Sequence, residues 1–143
     1  MILPDVNLLV YAHDASSEFH DPAAAWLKEA LTTQQVFFTW HTITGFLRIV
    51  TNNRIYENPL DMPRAIQIVD SWLANDTAHL VSLKKSNWPL LSKILIETQS
   101  NGNLVMDAHL AAMAASCGAT VASTDRDFTR FPGIQLIDPI SKT

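Results

Sequence analysis

The fold class is decided by residues 2–12, which read ILPDVNLLVYA. The apolar run Ile2 to Pro4 predicts a short buried strand, Asp5 ends it, and residues 7–12 predict a short buried helix. Two later stretches also place an aspartate at the end or the start of an element, NLVMDAHLAA at residues 103–112 and ATVASTD at residues 119–125. Acids in these places are typical of an α/β fold whose site lies beyond the carboxyl ends of its strands.

The rest of the chain alternates short apolar runs with longer helical patterns, which predicts a mostly parallel sheet with helices on both faces. The predicted strands are residues 2–4, 36–39, 79–83, 120–123 and 134–137. The predicted helices are residues 7–12, 23–31, 42–51, 62–74, 89–99 and 104–117. Asp21 before Pro22 is a helix start signal, and Gly118 is a helix end signal.

Length and composition indicate one globular domain over residues 1–143, with 48% apolar and 17% charged residues. The net charge of −4 argues against a nucleic-acid coat protein, but not against an enzyme that touches phosphate through metal ions. No run has the length of a membrane span, and Asp5 interrupts the apolar start that a signal peptide would need. With Cys117 as the single cysteine, a reducing cytoplasm is the expected location.

Three aspartates, Asp5, Asp107 and Asp125, form the candidate site. Asp5 and Asp125 each follow a predicted strand, and Asp107 lies in the first turn of the helix before strand four. If strands one and four are neighbours where the strand order reverses, these carboxylates meet there. Converging carboxylates repel one another unless a cation lies between them, and oxygen ligands favour a hard divalent ion. The pattern therefore indicates metal-assisted chemistry on phosphate, while a cap or a first-turn acid is the structural alternative for each residue.

In their order and spacing, the acidic stretches resemble those of the PIN-domain nucleases, and within them the VapC-type toxins of bacterial toxin–antitoxin pairs. The matching pieces are residues 3–12, residues 103–112 and STDRDF at residues 123–128, so the resemblance covers nearly the whole chain. It implies the sheet order 3-2-1-4-5 and an endoribonuclease that uses Mg²⁺ or Mn²⁺. It also implies single-stranded or looped RNA as substrate, a 5′-phosphate product, a homodimer and a cognate antitoxin.

The resemblance also implies roles for single residues. The metal-binding acids of the family correspond to Asp5, Asp107 and Asp125. A frequent accessory acid corresponds to Asp127, and a hydroxyl two residues before the last acid corresponds to Ser123. No residue has the setting of a covalent nucleophile, so we expect direct attack by water that a metal ion has activated.

Asn7 and Arg126 complete the set of candidate residues. Asn7, two residues past Asp5, either caps the short helix or holds a water at the site. Arg126, between two candidate acids, either steers phosphate to the site or forms a salt bridge that neutralises the acids.

One position departs from the family pattern. Gly45 stands where the helix after strand two usually carries a glutamate, and no other acid lies between Glu29 and Glu57. The site then holds its ion more weakly, or it recruits water, Asp127 or His41, which is four residues earlier on the same helical face. Glycine costs a helix interior about 1 kcal/mol relative to alanine. To offset that cost, we expect a substrate or an antitoxin side chain to approach the backbone of Gly45 closely.

Two other interpretations stay open. The first is a catalytically weakened PIN-like binding module, whose fold divalent ions would not stabilise. The second is an unrelated acidic α/β phosphohydrolase or a receiver domain. A receiver domain needs a phospho-acceptor aspartate after its third strand, where this chain has Lys84 and Lys85.

Overall fold

Five strands form one parallel sheet in the computed structural model, which describes residues 1–141. The strands are β1 (Ile2–Pro4), β2 (Val36–Thr39), β3 (Ala78–Val81), β4 (Thr120–Ala122) and β5 (Gln135–Ile137). Their order is β3-β2-β1-β4-β5 and every neighbouring pair is parallel, which confirms the predicted topology. The predicted domain end at residue 143 lies outside the described residues.

Within residues 1–141, six α-helices connect and cover the strands. They are α1 (Val6–His13), α2 (His20–Thr33), α3 (Trp40–Val50), α4 (Met62–Leu73), α5 (Trp88–Glu97) and α6 (Leu104–Cys117). None of the helices within residues 1–141 is long and apolar enough to cross a membrane.

Alternating side chains along the strands divide the interior into two apolar cores, because successive strand residues point to opposite faces. Ile2 and Phe38 pack with helices α1 to α4 on one face. Leu3 and Val121 pack with α5 and α6 on the other. Each fully buried side chain of this size stabilises the fold by about 1.5–3 kcal/mol. The two cores confirm the prediction of helices on both faces.

The switch from β1 to α1 takes place at a single residue, Asp5. The backbone N–H of Asp5 still donates to the Ala122 carbonyl at 2.9 Å, as part of the β1–β4 ladder. Its side chain is already the N-cap of α1 and accepts from the Val6 N–H. The carboxylate of Asp5 is therefore fixed at the carboxyl end of the sheet, between β1 and β4.

Eight of the eleven predicted elements differ from the observed ones by one to three residues at one or both ends, and three of them show why. Helix α2 begins at His20 without a side-chain cap, so Asp21 lies in its first turn, where the helix dipole favours an acid. Helix α3 begins at Trp40 because Thr39 and Thr42 form a reciprocal capping box. Strand β3 spans Ala78–Val81, since it pairs residue by residue with β2.

Candidate active site

Three aspartates from two segments of the chain lie together beyond the carboxyl end of β4. Asp107 is in the first turn of α6, Asp125 follows β4, and Asp127 lies in the 3-10 turn Arg126–Arg130. One carboxylate oxygen from each lies within 4.8 Å of the other two. Asp107 and Asp125 are half-buried, whereas Asp127 is exposed. We call Asp107, Asp125 and Asp127 the acid cluster.

The local backbone explains why Asp127 joins this cluster. Asp125 caps the 3-10 turn, and its Oδ1 accepts from the Asp127 N–H at 2.8 Å. Such a side-chain-to-backbone turn holds residues two apart close together. The accessory acid implied by the resemblance is thus brought to the same point as Asp107 and Asp125.

Asp5 reaches the cluster through Ser123. The Ser123 hydroxyl donates to Asp5 Oδ2 at 2.8 Å and accepts from the Asp125 N–H at 3.0 Å. Asp5 Oδ1 accepts from the Val6 N–H at 2.7 Å. Ser123 is only 1% exposed, so its hydroxyl is a buried link between the end of β1 and the end of β4. Asp5 itself lies outside the group of oxygens within 4.8 Å.

The site carries uncompensated negative charge. Partial burial, together with the charges of Asp5, Asp125 and Asp127, raises the pKa of Asp107 to about 6, against a smaller lowering by Arg130. Burial also raises the pKa of Asp5, opposed by the hydrogen bonds from Ser123 and Val6. The carboxylates therefore resist ionising together unless a cation neutralises them.

The donor set fits a hard divalent cation. All members of the acid cluster offer carboxylate oxygens, and neither a histidine nor a cysteine of residues 1–141 shares it. Oxygen-only ligand sets favour Mg²⁺, Mn²⁺ or Ca²⁺ over Zn²⁺ or copper. His41, the replacement ligand considered above, instead packs its ring edge-on to His109 at 6.2 Å between centroids.

The expected close approach of a substrate or an antitoxin side chain to Gly45 is wrong. Gly45 is buried, and a Cβ added to it would lie 3.1 Å from Cγ2 of Val6. The first residue of α1 therefore fills the space where α3 would carry a larger side chain. Because Val6 adjoins Asp5, a side chain at position 45 would press on the segment that holds this acid.

Asn7 and Arg126 lie at the rim of the site. Asn7 is an exposed residue inside α1, and the helix is capped by Asp5, so the prediction of Asn7 as the cap is wrong. Arg126 is exposed. The one ion pair within 4.0 Å in residues 1–141 joins Lys93 to Glu97, so Arg126 does not neutralise the acids beside it.

The sequence alone offers Arg130 only as one of several arginines that could steer phosphate, whereas in the structure its charge lowers the pKa of Asp107. The spacing could have revealed it, since residues three apart eclipse one another in a 3-10 helix. Asp127 and Arg130 have this spacing in the turn Arg126–Arg130, which places a cation beside the acids.

This sheet order with acids at the ends of β1 and β4 is that of a PIN domain, and the sequence profile of the PIN domain matches residues 2–134. The chain therefore belongs to the PIN-domain family. The alternative of an unrelated phosphohydrolase or receiver domain is set aside. One domain over residues 1–143 agrees with this match and stays a prediction.

Within that family the chain groups with the VapC ribonucleases. It is 37% identical to Ribonuclease VapC37 of Mycobacterium tuberculosis over 140 residues, which are 97% of each chain. It is 34% identical to Ribonuclease VapC48 of the same species over 139 residues, which are 96% of each chain. A chain of VapBC2 from Rickettsia felis, solved bound to a DNA fragment from their promoter, superposes with a TM-score of 0.72 at 16% identity. The superposition covers 96% of this chain and 98% of that one and shows the shared fold.

Proposed function

We propose that the protein is a divalent-metal-dependent endoribonuclease and the toxin of a toxin–antitoxin pair. The observation that carries this proposal is the acid cluster, whose oxygens lie within 4.8 Å of one another at the switch point of the sheet. The relatives named ribonucleases support RNA as the substrate. A binding module that had lost catalysis would have no need for carboxylates that repel one another at this distance.

Asp107, Asp125 and Asp127 would hold the ion, with Asp5 as the further acidic ligand that Ser123 orients. A bound Mg²⁺ or Mn²⁺ activates water and stabilises charge on a scissile phosphate. Ser123 keeps one oxygen of Asp5 directed along its hydrogen bond, so the buried hydroxyl sets the orientation of the carboxylate. Asn7, at the exposed start of α1, would hold a water at the rim of the site.

Arg126 and Arg130 would draw the RNA backbone to the site. Both are exposed, and neither forms an ion pair within 4.0 Å in the described part of the chain. Cations that are not held in a close ion pair are available to phosphate oxygens. They also offset the overall charge of −4 locally, where a polyanion must approach.

We further propose a homodimer in the cytoplasm that a cognate antitoxin inhibits. The VapBC2 complex supports a protein partner, because its fold matches over nearly the whole chain. RNA and the antitoxin would meet the protein in the same compartment.

The test is cleavage of a structured RNA by the purified protein with and without a chelator. Chelation should abolish cleavage, Mg²⁺ or Mn²⁺ should restore it, and Ca²⁺ should bind but support little turnover. In parallel, the midpoint of thermal unfolding should rise with each ion, because an ion that binds only the folded state stabilises it. Cleavage that persists in excess chelator would contradict the mechanism. Failure of every ion to shift the midpoint would instead favour the weakened binding module.

A further inference from the structure

A cavity adjoins the acid cluster on the β5 side of the site. It has a volume of about 270 Å³ and opens to solvent. It shares Ser123 and Asp125 with the site already described, and its other lining residues include Arg126, Thr129 and Asp138. The cavity therefore lies within reach of a nucleotide next to a phosphate that is held at the acid cluster.

Three polar side chains that line this cavity, Arg126, Thr129 and Asp138, keep unused hydrogen-bonding capacity within residues 1–141. The guanidinium of Arg126 has no hydrogen-bond partner or ion pair within residues 1–141. Asp138 Oδ1 accepts the N–H groups of Ile140 and Ser141 at 3.0 and 3.1 Å, and Oδ2 accepts none within the same residues. The Thr129 hydroxyl donates to the Arg126 carbonyl at 2.7 Å and keeps its acceptor lone pairs. The cavity thus offers a planar donor and a carboxylate acceptor together.

This combination favours a neutral base over a charged group. Two carboxylates, Asp125 and Asp138, disfavour a phosphate inside the cavity, and the guanidinium of Arg126 disfavours an incoming cation. Arginine forms bidentate hydrogen bonds with O6 and N7 of guanine, and this is the commonest specific contact of a side chain to a base. The N–H groups on the opposite edge of guanine suit a carboxylate acceptor.

We propose that this cavity is a base-binding subsite that takes a guanine next to the scissile phosphate and so selects where the RNA is cut. The inference deepens the proposed function and rests on it for the direction of the RNA chain. Arg126 would donate to one edge of the base and Asp138 would accept from the other. Arg126 would attract the RNA at long range and then bind the base, so both residues determine specificity and neither is catalytic.

Nucleotide titrations test the cavity separately from catalysis. The isotope-labelled full chain is titrated in a chelator with GMP, AMP, CMP and UMP, and with free arginine as a mimic of a protein partner. Amide shifts at residues 124–129 and 138 should saturate with GMP at about a tenfold lower concentration than with the other ligands. Equal binding of the four nucleotides, no binding of GMP, or tighter binding of arginine would each overturn the proposal.

Matched substitutions assign the preference to named groups. Asp138→Asn keeps an oxygen for the turn at Ile140 and loses the carboxylate, so it should weaken GMP binding by roughly tenfold. Arg126→Lys keeps the charge, loses the planar fork, and should have a similar effect. Asp70→Asn and Arg64→Lys, exposed on α4 at the opposite side of the sheet, are the matched controls and should leave GMP binding unchanged.

Cleavage of short RNAs that differ at one nucleotide completes the test. The cut bonds should have guanine at a fixed position, and the Asp138→Asn protein should lose this preference. If the protein cuts RNA with none of the ions but still binds GMP as expected, the nuclease function is overturned and the base subsite stands. Metal-dependent cleavage with a preference that Asp138→Asn does not alter would overturn the subsite and leave the nuclease function standing.

Discussion

The two sides of the candidate site are built on opposite principles. On the β4 side, Asp107, Asp125 and Asp127 crowd their carboxylates together at an electrostatic cost. On the α3 side, where the family usually has another acid, Gly45 and Val6 meet in apolar contact. The difference teaches that the negative charge of the site is concentrated on one side, while the other side fixes the helix that follows Asp5.

The largest effect should come from removing a carboxylate of the acid cluster. Asp107→Asn should lower RNA cleavage at least about a hundredfold, since even residues that only orient metal ligands are worth 10–100-fold. The purified variant is compared with Asp70→Asn, an exposed change on α4, at saturating Mg²⁺ or Mn²⁺. If the Asp107→Asn protein cleaves as fast as the control, the ion does not bind at the acid cluster on the β4 side.

A smaller loss should follow from cutting the link between the two strand ends. Ser123→Ala removes the donor to Asp5 and the acceptor of the Asp125 N–H, both in a buried place. We expect about a tenfold weaker metal affinity and a loss of about 1–3 kcal/mol in the free energy of unfolding. Calorimetry and urea unfolding measure the two quantities. Ser71→Ala, whose hydroxyl donates to the Ile68 carbonyl on the exposed face of α4, is the control and should change neither.

The same contrast separates what the sequence predicts from what it does not. The family resemblance predicts the strand order, and the acids at element ends predict that Asp107 and Asp125 meet once strands one and four are neighbours. The nearness of Asp127 was implied by the resemblance alone, because it depends on a turn that the Asp125 hydrogen bond stabilises. The contact between Gly45 and Val6 depends on how α1 packs on α3. A helical pattern predicts which face of each helix is buried, but it does not predict which side chain of the other helix lies against it.

The apolar side can be examined by a double-mutant cycle on Gly45 and Val6. In the wild-type background, Gly45→Ala places a methyl group 3.1 Å from Val6 Cγ2 and should destabilise the fold by about 1 kcal/mol. In a Val6→Ala background the space is open, and the same change should stabilise the fold by about 0.5–1 kcal/mol through helix propensity.

Urea unfolding of the four proteins gives the coupling free energy directly. The opposite signs in the two backgrounds are the expected signature of the contact. If Gly45→Ala has the same effect in both, then Val6 is not the reason for glycine at this position.

The smallest expected effect concerns the pH dependence of the metal-free protein. The pKa of Asp107 is about 6 in the folded state, against about 3.9 for an unperturbed aspartate. The folded state therefore binds the proton more tightly than the unfolded state. The stability that the folded state gains by binding this proton is fully present below about pH 4 and is lost as the pH rises through about 6.

In chelator at pH 7.5, Asp107→Asn should thus be more stable than the wild type, because it removes a charge that the neighbouring acids repel. Asp107 is partly exposed, so solvent screening limits the gain to about 1 kcal/mol or less. At pH 4 the two proteins should unfold at the same urea concentration, since the wild-type carboxyl is then protonated. Added Mg²⁺ at pH 7.5 should reverse the order, because the wild type binds the ion more tightly. A variant less stable than the wild type in chelator at pH 7.5 would mean that the acid cluster carries no electrostatic cost, and the contrast between the two sides of the site would fail.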